Sequence, residues 1–373
     1  MKPVQFVDTE IYANYLLIGG LRLNGKVWSI ELDGSHSCLP KEDRLWLRDR
    51  MRQYCTVGFN LHGFDLPVIY GAISGLTVAE IKRIADDIIE GGMRSWDIED
   101  EYGFEIPRKI DTIDLIEVAP GKASLKIYNG RLHGRRMQDL PIPPDAVLTD
   151  DEIEETFRYW KNDLQATKLL WESLKTQLDL REALSKQYGM DLRSKSDAQL
   201  AEAIIVQQVG KILGYKPKKP VIKPGLKFRY RAPDYIRFHS PQMNDILDMI
   251  EDHDFRVGPT GKVLMPSFLS EAEIRIGASV YSMGIGGLHS TEERVAHVAD
   301  GRYSLFDVDV ASYYPNIILT LGLYPKQLGP AFLKVYRGIV KRRLAAKKRS
   351  GEIKAEIARL EKLLAEREVG DGE

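Results

Sequence analysis

Asn24 and Gly25 stand between the apolar-patterned runs "NYLLIGGLRL" and "KVWSIEL". Both residue types tolerate positive φ, so the pair predicts a tight turn and two neighbouring antiparallel strands. "VQFVDTE" precedes them as another strand, so the chain opens on three consecutive strands. A helical stretch near 41–54, a strand "TVGFN" and a helix after Asp65 follow. Beyond these lie a strand in "KIDTIDLI" and a long helix opening at "LTDDEIEETFRYW", where Thr149 and Glu152 have capping-box spacing. Strands first, then alternating helices and strands, predict an α/β sheet.

Composition narrows the surroundings. A chain of 373 residues has room for two or three units that each bury a core. Net charge is −1, so any nucleic-acid site must be a local patch. Cys38 and Cys55 match neither a disulfide framework nor a metal-ligand spacing and point to a reducing compartment. The start, "MKPVQFVDTE", lacks the apolar core of a signal peptide, and no apolar run reaches membrane-spanning length. The expected setting is cytoplasmic, without a membrane partner.

Three acidic segments carry chemistry. Asp8 and Glu10 lie at i and i+2 on a strand, so both carboxylates project from one face. Such neighbours repel unless water or a cation compensates. In "FNLHGFDLPVIY", Asn60, Phe64 and Asp65 sit between strand and helix; taken alone, Asp65 reads as a helix N-cap with Pro67 in the first turn. "YWKND" sets Tyr159 and Asp163 at i and i+4 on one helix face. Together they give D-x-E, then N-x-x-x-F-D, then Y-x-x-x-D, in that order.

That succession resembles the DEDD-type 3′–5′ exonucleases that proofread for DNA polymerases, in the subgroup with a tyrosine in the third motif. The resemblance covers roughly residues 4–175 and implies a ribonuclease-H-like α/β fold. It implies that Asp8, Glu10, Asp65 and Asp163 hold two magnesium or manganese ions, which activate water and stabilise the departing 3′ oxygen. It also implies that Tyr159 orients the attacking water and that Thr9, Asn60 and Phe64 hold the single-stranded 3′ end. For Lys126, in "SLKIY", the resemblance offers a transition-state cation, but by itself it reads as a surface lysine.

The rest of the chain points the same way. "YKPKKPVIKPGLKFRYR" breaks a helical region over 181–213 with prolines and basic residues; it reads either as a solvated linker or as a phosphate contact. From Ala278 the chain turns β-like through "GASVYSMGIGGLHS" and "GRYSLFDVDV". In "DVASYYPNII", Asp309, Ser312, Tyr314 and Pro315 resemble motif A of family B DNA polymerases, D-x-x-S-L-Y-P, with Tyr313 in place of leucine. The resemblance implies that Asp309 and the Val310 carbonyl bind catalytic metal. Ser312 and Tyr313 would offer backbone N–H groups to a nucleoside triphosphate, and Tyr314 would exclude a 2′ hydroxyl. Gly286 and Gly287 resemble the segment between the two activities where backbone approaches DNA. In the basic helix "KVYRGIVKRRLAAKKR", Arg343 and Lys347 resemble the triphosphate contacts of the first fingers helix.

The expected organisation is an exonuclease domain over 1–180, a connecting region with first palm elements over 181–300, and a motif A strand with fingers helices over 301–373. A second palm strand with a D-T-D triplet is lacking, so a C-terminal polymerase fragment is an expected partner beside primer-template DNA and dNTP. A phage-like, viral protein in its host's cytoplasm fits that picture. A stand-alone exonuclease and a non-catalytic DNA-binding subunit are the alternatives.

Overall fold

In the computed structural model, which describes residues 2–277, 279–291 and 296–370, the chain divides into two compact units, Met1–Ile204 and Ile205–Glu373. The first unit opens with β1 (Val4–Ile11), β2 (Tyr15–Arg22) and β3 (Val27–Asp33), paired antiparallel in succession. The expected turn joins β2 to β3, with Gly25 at φ +83° and the Arg22 N–H donating to the Lys26 carbonyl at 2.9 Å. α1 (Lys41–Gln53) leads to β4 (Cys55–Gly58), and β5 (Thr112–Asp114) follows later. Both β4 and β5 run parallel to β1, giving a mixed five-stranded sheet in the order β3-β2-β1-β4-β5.

Alternation along the strands divides the core between the two sheet faces. Phe6, Leu17 and Leu21 pack with Trp160, Leu164 and Leu170 of α7 (Asp150–Ser173). Val7, Leu16 and Ile18 pack with Leu47 and Met51 of α1, Val68 and Ile69 of α2 (Asp65–Ser74), and Ile81 of α3 (Val78–Ile89). Helices therefore cover both faces, and the unit is α/β. The capping box at Thr149 and Glu152 forms as expected and starts α7. Short helices α4 (Ser95–Tyr102), α5 (Leu115–Val118) and α6 (Leu125–Arg131) complete the connections.

This unit extends to Ile204, because the segments after residue 180 are tied back into it. Arg181 on α8 (Lys175–Tyr188) is buried and donates to the Lys195 carbonyl at 2.7 Å and to Asp197 at 2.7 Å. Arg193 pairs with Asp111, one residue before β5, at 2.6 Å. A charged side chain held by several acceptors fixes that loop against the sheet. Helix α9 (Asp197–Leu213) carries the chain onward.

The second unit has less regular structure. β6 (Lys227–Phe228) pairs with β7 (Phe255–Arg256) around α10 (Pro241–Asp252), and α11 (Ser267–Ser270) follows. β8 (Glu273–Ile276), β9 (Ser279–Gly284) and β10 (Gly287–Ser290) form an antiparallel sheet. Ala278, where the expected β segment opens, lies outside the described residues. Helices α12 (Tyr313–Thr320) and α13 (Ala331–Gly370) end the chain. No helix among the described residues is long and apolar enough to cross a membrane.

Residues 303–310, expected as a strand, form none. A strand persists only where a neighbour takes up its backbone donors and acceptors. None of the described strands pairs with this segment, so it runs exposed, with Phe306 and Val308 each 86% accessible.

Candidate metal centre

The centre lies at the carboxyl ends of β1, β4 and β5, where open α/β sheets commonly place their sites. Asp8 and Glu10 share the face of β1 that meets α7, and α7 brings Asp163 to the same place. One carboxylate oxygen from each of the three lies within 4.8 Å of the others. All three side chains are partly exposed, so the group opens to solvent.

The register of α7 depends on a tryptophan and a glycine. The Trp160 indole N–H donates to the Asp8 carbonyl at 3.1 Å. Its ring lies over Gly19, which pairs with Asp8 across the β1–β2 ladder. A Cβ at residue 19 would stand 2.4 Å from the ring carbon Cζ2 and 2.5 Å from the Trp28 carbonyl. Gly19 thus admits the indole that holds Asp163 beside Asp8. Sequence reading passed over this residue, although glycine inside a strand signals close approach.

Asp65 reaches the centre from the opposite face of the sheet. It is the first residue of α2, preceded by Phe64 at the cap position, so the N-cap alternative does not hold. Its carboxylate is buried and accepts from the Thr9 hydroxyl at 2.8 Å. Thr9, expected as a DNA contact, is 5% exposed, and its hydroxyl donates to Asp65. Asp65 stands outside the 4.8 Å group, so the structure assembles three of the four expected ligands into one cluster.

Electrostatics mark the same residues. Loss of hydration pushes the Asp8 and Glu10 carboxyls up, and the neighbouring carboxylates push them further. Burial likewise raises Asp65 and raises Asp163 to about 6. Tyr159 is held protonated, first by burial and then by the Asp163 charge, and its hydroxyl in turn favours the ionised form of Asp163. Mutually repelling acids in one opening are a site for positive charge, and all-oxygen donors fit a hard divalent cation.

Asn60 occupies the left-handed region at φ +61° in the turn after β4. Phe64 packs against the α1–α3 core and is half-buried. Lys126 is a surface residue paired with Asp139. Sequence reading also missed Asp114, a buried acid at the end of β5 that accepts backbone N–H groups of the Asn60 turn.

The second unit brings some expected residues together and leaves others apart. Ser312 precedes α12 at φ +51°, and the Arg343 guanidinium donates to its hydroxyl at 3.1 Å. Lys347 lies one turn beyond Arg343 on α13 and is exposed, as are Tyr313 and Tyr314. Asp309 and Val310 sit on the unpaired exposed segment. Among the described residues, no group of three metal-ligating side chains includes Asp309. Gly286 and Gly287 lie at the turn between β9 and β10, open to solvent, with Gly287 at φ +139°.

No family model matches the chain. No curated protein matches it. Among solved structures it is similar to the family B DNA polymerase from the hyperthermophilic archaeon Pyrobaculum calidifontis, at 15% identity and a TM-score of 0.38, over 61% of this chain. The matched part spans 32% of that polymerase's length.

Proposed function

We propose that the first unit is a metal-dependent 3′–5′ exonuclease acting on DNA, in a chain that is the N-terminal part of a family B DNA polymerase. The observation that supports it most is the convergence of Asp8, Glu10 and Asp163 within 4.8 Å, on side chains far apart in sequence. Asp65 stands beside them in the electrostatic field they share.

Asp8, Glu10, Asp163 and Asp65 would hold two magnesium or manganese ions. When bound, such ions polarise the scissile phosphate and lower the pKa of water in the site. The protein's own parts have separable tasks. Thr9 fixes the Asp65 carboxylate, and Trp160 fixes α7 against β1. Tyr159, protonated at neutral pH, donates to Asp163 and from there would orient the attacking water. Asn60 and the accessible part of Phe64 receive the terminal nucleotide of a frayed 3′ end, the ring by stacking.

In the second unit, Asp309, the Val310 carbonyl, the Ser312 and Tyr313 N–H groups, Tyr314, Arg343 and Lys347 belong to a dNTP site. Contacts to duplex DNA come from the basic segment 214–231, the Gly286-Gly287 turn and the first half of α13. A second reading, a stand-alone exonuclease, is favoured by one observation: Asp309 has no acidic companions in a metal-sized group among the described residues. Two-metal synthesis needs more than one carboxylate, so primer extension would require a C-terminal polymerase fragment to supply them.

The test is release of mononucleotides from a 3′-labelled mismatched primer with magnesium or manganese. The wild-type chain should degrade it, and the Asp8→Ala, Glu10→Ala double variant should not. Undiminished cleavage by the double variant would refute the site.

A further inference from the structure

Asp114 closes β5 and is 2% exposed, yet its carboxylate is fully engaged. One oxygen accepts the backbone N–H of Asn60 at 2.9 Å, and the other accepts that of His62 at 2.9 Å. The first oxygen also accepts the Ile116 N–H at 3.2 Å, at the start of α5. Its own N–H donates to the Ser194 hydroxyl at 2.9 Å. The acid thus joins the end of β5 to the turn that follows β4.

That turn is tightly constrained. Asn60 holds a left-handed backbone that side-chain-bearing residues seldom adopt. Gly63 and Phe64 N–H groups return to the Asn60 carbonyl at 3.1 and 3.0 Å. The Leu66 N–H returns to Leu61 at 2.9 Å, and the next residue back along the chain is Asp65. Where the turn sits therefore decides where Asp65 meets Thr9.

We infer that Asp114 is a positioning residue for the carboxylate centre, holding the Asn60–Phe64 turn so that Asp65 meets Thr9, the residue between Asp8 and Glu10 on β1. The inference rests on the nuclease reading. The chemistry requires a carboxylate: two backbone donors arrive at two different oxygens, and an amide has only one. In Asp114→Asn the NH₂ group would face an N–H, leaving a buried donor unmatched.

The test compares wild type with Asp114→Asn in manganese titration, followed by the spectrum of the free ion, and in nuclease kinetics on a single-stranded oligonucleotide. Supporting residues of metal ligands typically alter affinity or activity about 10–100-fold. Manganese affinity and kcat should fall by that factor, with KM for DNA within about twofold. Hydrogen exchange on the wild-type chain needs no variant: residues 59–66 should be protected, and more so with magnesium. If Asp114→Asn loses thermal stability but keeps wild-type manganese affinity and kcat, the inference fails and the nuclease reading stands. Unprotected exchange over 59–66 in wild type overturns it even if the variant does not fold. A wild-type chain that neither binds manganese nor cleaves DNA removes both.

Discussion

Asp8 and Asp309 each sit in a short apolar stretch with a second acid two residues away, and the structure treats them in opposite ways. Asp8 stands on a strand that pairs with β2 opposite Gly19 and with β4 just before it, with an indole on its carbonyl and two acids beside it. Asp309 lies on an exposed segment that no described strand pairs. A carboxylate motif becomes a site only where a ladder fixes its backbone and other elements bring it companions. The first motif finds its ladder in β2 and β4, close in sequence, whereas the second finds none among the described residues.

The largest expected effect separates the two aspartates. Asp8→Ala with Glu10→Ala should reduce 3′ nucleotide release to background, and Asp309→Ala should leave it unchanged. A time course on a labelled mismatched primer checks both. An equal loss from Asp309→Ala would erase the contrast.

Packing is the next way to break it. Gly19→Ala drives a methyl group into Trp160 and the Trp28 carbonyl. Overpacking of this kind costs typically about 1–3 kcal/mol. Urea denaturation of the first unit should show that loss, with weakened manganese binding because α7 shifts. Unchanged stability would mean that Trp160 does not set the register.

Acid–base behaviour sharpens the contrast more gently. In the folded chain Asp65 is raised to about 8 and Asp163 to about 6, against about 4 for an unfolded aspartate. Between those limits the folded state keeps protons that the unfolded state has released. Stability without divalent ions should therefore be greatest near pH 4 and decline as pH rises toward 8. On the proposed reading magnesium would bind the ionised carboxylates, so adding it should flatten the decline. Denaturant midpoints at several pH values, with chelator and with magnesium, give the sign; a rise with pH in chelator contradicts it.

How much was legible follows the same physics. The Asn24-Gly25 turn, the Thr149 cap and the α7 pair of Tyr159 and Asp163 are local patterns, and each formed where its spacing placed it. The Asp8–Glu10 face was legible because strand alternation is strict. The Thr9–Asp65 hydrogen bond was not legible, because alternation says which face Thr9 occupies but not that Asp65 waits there. Gly19 and Asp114 were invisible because their meaning lies in contacts across the sheet, with Trp160 and with the Asn60 turn. The 303–310 segment has the pattern of a strand, but a pattern cannot supply the neighbour.

Hydrogen exchange should record the smallest difference, one of rate alone. Amides of β1 should exchange slowly, and those of 303–310 at close to the unprotected rate. Slow exchange across 303–310 would show a pairing absent from this fold.

If the proposed site is right, metal binds where Asp8, Glu10 and Asp163 converge. Anomalous diffraction from crystals soaked in manganese tests it most directly. An anomalous peak should lie within coordination distance of all three carboxylates and be lost in Asp8→Ala. A peak at Asp309 with none at this cluster would contradict it.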